Sequence, residues 1–223
     1  MSTRKIPLET NEYYHIYNRG VDKRQTFMNW KDYQRFFQSM DLFNTVNPIG
    51  SIYEKLFSEN RFGGSTSKNK KKNRLIDLIC YCLNPNHYHF VLKQIADKGI
   101  EKFMHRLSTG YTGYFNKKHK RSGVLFQGRY KAVHIDTNEQ LLHVSVYVNL
   151  NNRTHQFGGS TSKLEKPMFL SSWDEYVGKT KFIFCQKDDV FGQFKSKSEY
   201  REFAEQTLPS ILERKELLKE FEE

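Results

Sequence analysis

Residues 84–94 read Asn84-Pro85-Asn86-His87-Tyr88-His89-Phe90-Val91-Leu92-Lys93-Gln94, a turn followed by an apolar run that carries two histidines one residue apart. A strand turns i and i+2 to the same face, so the imidazoles of His87 and His89 point together while Tyr88, Phe90 and Leu92 face the other side. One face is therefore apolar and ready to be covered by helices, and the other carries a pair of nitrogen ligands on a rigid element. Leu75 to Leu83 is a second β-rich run, and Pro85-Asn86 closes the two into a hairpin.

Outward from that hairpin the pattern alternates. Glu12 to Asn18 (EYYHIYN) is β-rich and ends at a turn-like Asn-Arg-Gly. Asn29 is placed to cap a helix over Trp30–Phe43, whose Phe36, Phe37, Met40 and Phe43 recur at helical spacing. A helix over about Gly99–Lys117 carries Ile100, Phe103, Met104, Leu107, Tyr111 and Tyr114 on one stripe. Arg129 to Ile135 reads as a fourth strand, and Thr137 with Gln140 forms a capping box for a helix running to about Asn151. The order β-α-β-β-α-β-α predicts an α+β fold: a ferredoxin-like split βαβ antiparallel sheet with helices on one face and a further C-terminal helix. Residues 1–155 form the main domain, with an irregular insertion at about 44–74. Residues 156–223 form a small accessory region with helices near Lys197–Glu205 and Ser210–Phe221.

The 223 residues carry 36 Lys/Arg against 25 Asp/Glu, a net charge of +11, which favours a polyanionic partner. The stretch from Asn116 to Lys131 holds six basic residues and no acid, interleaved with aromatic rings; Phe126 or Tyr130 is suited to stack an unpaired base. Nucleic acid fits this mixture better than an anionic membrane surface. No run is long enough for a membrane span, and MSTRKIPLETNEYY lacks a signal-peptide core. Three cysteines fit reduced thiols in a cytoplasm better than a disulfide framework.

Two readings of Cys80 and Cys82 stay open. Facing His87 and His89 they would complete a tetrahedral Cys2His2 zinc site. The two-residue Pro85-Asn86 turn is instead expected to shift the register by one and send both thiols to the opposite face, as ordinary buried residues. A third component lies in "HVSVYVNLNNR", where Tyr147 and Asn151 are i and i+4 and share a helix face. A tyrosine hydroxyl beside a divalent cation can attack a phosphodiester, with Asn151 adding an oxygen ligand. His143, one turn earlier, either orients that phenol or accepts its proton, or is simply a surface histidine. Phe-Gly-Gly-Ser-Thr-Ser-Lys occurs twice, at 62–68 and 157–163. Convergence on flexible composition and a short DNA element inserted twice into the gene are the two accounts.

"NPNHYHFVL", "SGVLFQGRYKAV" and "LLHVSVYVNLNN", in this order, resemble the REP-associated tyrosine transposases, relatives of the single-tyrosine insertion-sequence transposases within the HUH endonucleases. The resemblance runs from about Tyr13 to Asn152 and continues weakly through "LSSWDEYVG". It implies that His87, His89 and Asn151 bind Mg2+ or Mn2+. It further implies that Tyr147 forms a 5′-phosphotyrosine bond with cleaved single-stranded DNA, and that the substrate is a short palindromic repeat folded as a hairpin. Arg19, Lys117, Lys118, Arg121, Arg129, Tyr130 and Lys131 would then hold the DNA. Monomer and homodimer are both open, with a lean to the monomer. Two departures stand out: Asn84 where methionine is expected, and Asn152 where a proline usually follows. A non-catalytic DNA-binding module on the same fold and a zinc-stabilised RNA-binding protein are the competing readings.

Overall fold

The computed structural model describes residues 7–50, 52, 73–154 and 168–220. Both copies of the seven-residue repeat, and most of the 44–74 insertion, lie outside the described residues. The elements run β1 (Tyr13–Arg19), a 3-10 turn (Val21–Lys23), α1 (Trp30–Phe43), β2 (Ile76–Asn84), β3 (His87–Gln94) and α2 (Gly99–Lys118). They continue with β4 (Lys131–Ile135), α3 (Asn138–Asn149), α4 (Asn151–Thr154), β5 (Leu170–Ser171), α5 (Trp173–Tyr176), α6 (Asp188–Phe191) and α7 (Lys197–Glu220). The sheet is five-stranded in the order β4-β1-β3-β2-β5, and every neighbouring pair is antiparallel. Its first four strands have the ferredoxin-like arrangement expected from the sequence. Among the described residues no helix is long and apolar enough to cross a membrane.

Alternation along β1 and β3 divides the sheet into two faces of different chemistry. Tyr14 and Ile16 of β1 and Tyr88, Phe90 and Leu92 of β3 are buried with Tyr33, Phe36 and Met40 of α1 and Phe103, Leu107 and Tyr111 of α2. Phe36 is the hinge pin of this layer, tilted on Tyr88 and edge-on to Tyr111. Each such side chain contributes roughly 1.5–3 kcal/mol by leaving water. Gly99 starts α2 where a Cβ would meet the Leu75 carbonyl oxygen at 2.1 Å, so only glycine lets the helix close on the strand lead-in. Phe126, offered by the sequence as a base-stacking ring, packs edge-on to Tyr88 in this same core and is buried.

The local signals explain the helix starts. Asp32 accepts from the backbone N–H groups of Met28 and Asn29, fixing the first turn of α1 at Asn29. Thr137 Oγ1 accepts from the Gln140 N–H at 3.1 Å, while Gln140 reaches one residue further back than a capping box requires, to the Asp136 N–H. Helix α3 stops at Asn149, short of Asn151, because Leu150 leaves helical geometry at φ −107° and ψ 14°. Strand β4 begins at Lys131, since Gly128 sits at φ 65° and turns the chain just before Arg129 and Tyr130.

Two expectations are corrected. Pro85 and Asn86 leave Asn84 opposite His87 and Cys82 opposite His89, so even-numbered residues of β2 face the same way as odd-numbered residues of β3. Cys80 and Cys82 therefore share the face of the histidines; the register shift expected from a two-residue turn runs the other way. The C-terminal helix is also continuous over Lys197–Glu220 with Pro209 inside it, where the sequence suggested two segments. The residues after 168 share a core with the sheet: β5 pairs with β2, and Trp173, Tyr176 and Tyr200 join the buried cluster.

Candidate active site

The face of the sheet opposite α1 and α2 is built in rows, because residues directly opposite on antiparallel strands project to the same side. Arg19, His87 and Asn84 form one row across β1, β3 and β2. Lys131, Tyr17, His89 and Cys82 form the next across β4, β1, β3 and β2. His15 stands in the row beyond, opposite Val91. Helix α3 lies over this face and sets the Tyr147 ring perpendicular to His89, with centroids 5.4 Å apart, and to His15 at 5.7 Å. Tyr147 and Asn151 straddle the end of α3 yet still meet, and their side chains share a hydrogen bond. Burial raises the Tyr147 phenol above its ordinary pKa, and the Asn151 contact partly offsets this.

The hydrogen bonds assign the tautomer of His87. His87 Nδ1 lies 2.6 Å from the Asn86 side-chain oxygen, which can only accept, so the neutral ring's proton is on Nδ1. His87 Nε2 then accepts from Asn84 Nδ2 at 3.0 Å and lies 3.1 Å from Asn151 Oδ1, a second lone-pair atom. His89 Nδ1 is 2.9 Å from His15 Nε2. His15, stacked between Tyr17 and the site, has its pKa lowered to about 4 by burial and stays neutral near pH 7, so one of the two rings donates to the other. With its proton on Nδ1, His87 keeps Nε2 basic, the arrangement an outer hydrogen bond gives to a metal-ligating imidazole. Nothing in the sequence alone named His15. Its position two residues before Tyr17 on an alternating strand would have pointed to it once β1 was known to lie beside β3.

Two imidazole nitrogens and an amide oxygen are a donor set suited to Mg2+ or Mn2+ with open positions for a substrate oxygen and water. The convergence of the lone pairs of His87 Nε2 and Asn151 Oδ1 fits such an ion. The zinc reading does not fit. Cys82 is wholly buried, with its thiol pushed up to about 12 by burial, and Cys80 opposes Val91 rather than a histidine. Among the described residues no group of three or more His, Cys, Asp or Glu is placed to hold a metal. His143 packs edge-on to Phe203 of α7, in the seam between α3 and the C-terminal helix.

The basic residues named from the sequence fall into three places. Arg19 is exposed beside His87, held by Gln127, and Lys131 lies 5.8 Å over the Tyr17 ring. Arg129 and Tyr130 line a cavity of about 510 Å3 with Glu101, His105, Ser108 and Thr109 of α2. At the end of α2, Lys117 is exposed, Lys118 is ion-paired with the buried Asp32, and Arg121 bonds Asn116 and the Val124 carbonyl.

Residues 58–151 match the family model of IS200-like transposases, a span that ends on Asn151 and contains His87, His89 and Tyr147. The site-bearing segment is thus similar to the IS200-like transposases. A solved structure of a REP-associated tyrosine transposase bound to a REP hairpin is similar to this chain with a TM-score of 0.52 and 11% identity, over 82% of this chain and 89% of that one. The fold is shared, and the resemblance read from three sequence motifs stands beside it. No curated protein matches the sequence.

Proposed function

We propose that this chain is a metal-dependent endonuclease and strand transferase for single-stranded DNA, acting on short palindromic repeats folded as hairpins through a covalent 5′-phosphotyrosine. The observation that carries the reading is the meeting of Tyr147 and Asn151, from a helix end, with His87 and His89, from a central strand. The solved transposase of like fold holds a REP hairpin, and the basic surface of this chain suits the same kind of partner.

His87, His89 and Asn151 would hold Mg2+ or Mn2+, which when bound supplies charge neutralisation and orientation of the scissile phosphate. Tyr147 contributes the nucleophile. Its phenolic oxygen forms a bond to phosphorus as the bond to the 3′ oxygen breaks; the phenol proton leaves and the departing oxygen takes up a proton as a free 3′-OH. The phosphotyrosine conserves the bond energy, so another 3′-OH can reverse the step and join a new strand. Asn151 orients the phenol through its hydrogen bond. Arg19 and Lys131, flanking the histidine rows, would hold backbone phosphates on either side. Arg129 and Tyr130, with their cavity, would take an unpaired base further along the strand.

The test is a denaturing gel of the protein with labelled hairpins from the flanks of its own gene, in Mn2+, wild type beside Tyr147→Phe. A covalent band in the wild type alone supports the strand transferase. Strong hairpin binding with no band in either protein would transfer the reading to a non-catalytic DNA-binding module.

A further inference from the structure

Asn84 is wholly buried at the end of β2, in the row of His87, and its amide touches two of the three groups that would hold the ion. Its Nδ2 donates to Asn151 Oδ1 at 2.8 Å and sits 3.0 Å from His87 Nε2, which are themselves 3.1 Å apart. The three atoms form a nearly equilateral triangle. An octahedral ion with ligands at roughly 2.0–2.1 Å puts neighbouring donors about 3 Å apart, so this triangle has the size of one face of such a shell. Two corners are lone pairs that converge. The third is an N–H2 group, a donor standing among acceptors where a third acceptor would complete the face.

The other end of the same amide is in the opposite situation. Asn84 Oδ1 is buried with no hydrogen-bond partner, a costly place for an acceptor. Turning the amide by half a revolution about its last side-chain bond exchanges nitrogen and oxygen at nearly unchanged shape. The orphaned oxygen then joins His87 Nε2 and Asn151 Oδ1 as a third lone pair. Without a cation that arrangement would be repulsive, which accounts for the orientation seen.

We propose that Asn84 is a further ligand of the divalent cation, its amide turning over on binding to present Oδ1 beside His87 Nε2 and Asn151 Oδ1. The inference rests on the metal-dependent reading of the site given above. It makes the metal centre of this chain richer in oxygen than the histidine pair and Asn151 alone, which favours Mg2+ and Mn2+ over softer ions.

The experiment is a Mn2+ titration of the full chain without DNA, following free Mn2+ by electron paramagnetic resonance, for wild type, Asn84→Leu, Asn84→Asp and His87→Ala. Asn84→Leu keeps the volume but offers no donor, and should weaken Mn2+ binding about tenfold or more. Asn84→Asp offers oxygens and a charge but no N–H, and should tighten it by a similar factor. Weakening by Asp as well as Leu would show that the donated N–H matters, making Asn84 a positioning residue and overturning the proposal; unchanged binding in both would overturn it too. If Asn84→Leu fails to give a cooperative melt, the Asp variant decides alone. Undiminished binding by His87→Ala would reject the metal reading itself, a result distinguishable from failure at Asn84.

Discussion

His87 and His89 stand on β3, which is hydrogen-bonded along its length to β1 on one side and β2 on the other. Tyr147 and Asn151 stand at the end of α3, a helix that depends on the C-terminal segment for its seat. Asn149 donates to the Tyr200 hydroxyl at 2.9 Å, and its oxygen accepts from Ser172 at 2.6 Å. Ser145 shares a hydrogen bond with the same Tyr200 hydroxyl at 3.1 Å, and Ser172 Oγ accepts from the Tyr81 N–H of β2. One half of the site is thus set by a sheet ladder and the other by a buried polar network reaching residues about fifty positions downstream. The proposed chemistry draws on both halves: the cation would take His87 and His89 from the sheet and Asn151 from the helix end, beside the proposed nucleophile Tyr147.

Substitutions in the two halves should separate accordingly. His87→Ala removes a proposed cation ligand on the sheet half and should cost at least about a hundredfold in hairpin cleavage with Mn2+, with little change in hairpin affinity measured in chelator. A variant that still cleaves at the wild-type rate would uncouple the strand from the chemistry. On the helix half, Tyr200→Phe leaves Asn149 and Ser145 without their shared partner and should lower stability by roughly 1–3 kcal/mol in chemical denaturation. Cleavage should fall with it, and Mn2+ affinity should weaken too, because Asn151 stands on the same helix end. Cleavage and Mn2+ affinity both at the wild-type level would mean that the network does not serve the helix end.

A smaller effect is expected far from the site. Burial alone would raise the Asp32 carboxyl, but hydrogen bonds from Lys118, the Met28 N–H and His119 outweigh it and hold it below the ordinary value of 3.8. A folded pKa below the unfolded one means that this contribution is complete above the unfolded value and is lost as pH falls through the folded one. The denaturation midpoint should therefore drop below about pH 4, and Asp32→Asn should flatten that drop while leaving Mn2+ binding unchanged. An equally steep drop in the variant would place the acid-sensitive group elsewhere.

The same division governs what could be read from the chain beforehand. Strand β3 and helix α1 are found where the pattern puts them, because alternation at period 2 and an Asn29 cap ahead of an apolar stripe are local signals. The pairing of Tyr147 with Asn151 was legible for the same reason, even though the helix breaks at Leu150. His15 and Asn84 were not, since each joins the site only through strand pairing, and the Pro85-Asn86 turn pairs Cys82 with His89, against the parity that its length suggests. The Asn149–Tyr200–Ser172 network carries no sequence signal at all: a tyrosine among 13 and two small polar residues look like any others until the fold brings them together. The unbroken α7 went unread because Pro209 is a reasonable place to end a helix, and tertiary packing overrides that preference.

Among the described residues Tyr147 and Tyr17 both lie against His89, Tyr17 stacked on it with centroids 5.5 Å apart. The most direct test of the central claim is therefore to trap the covalent adduct in Mn2+, trim the DNA with nuclease, digest the protein and locate the modified residue by mass spectrometry. The account predicts a nucleotide phosphate on the peptide containing Tyr147 and none on the peptide containing Tyr17. The adduct on Tyr17, or on any other residue, would contradict it.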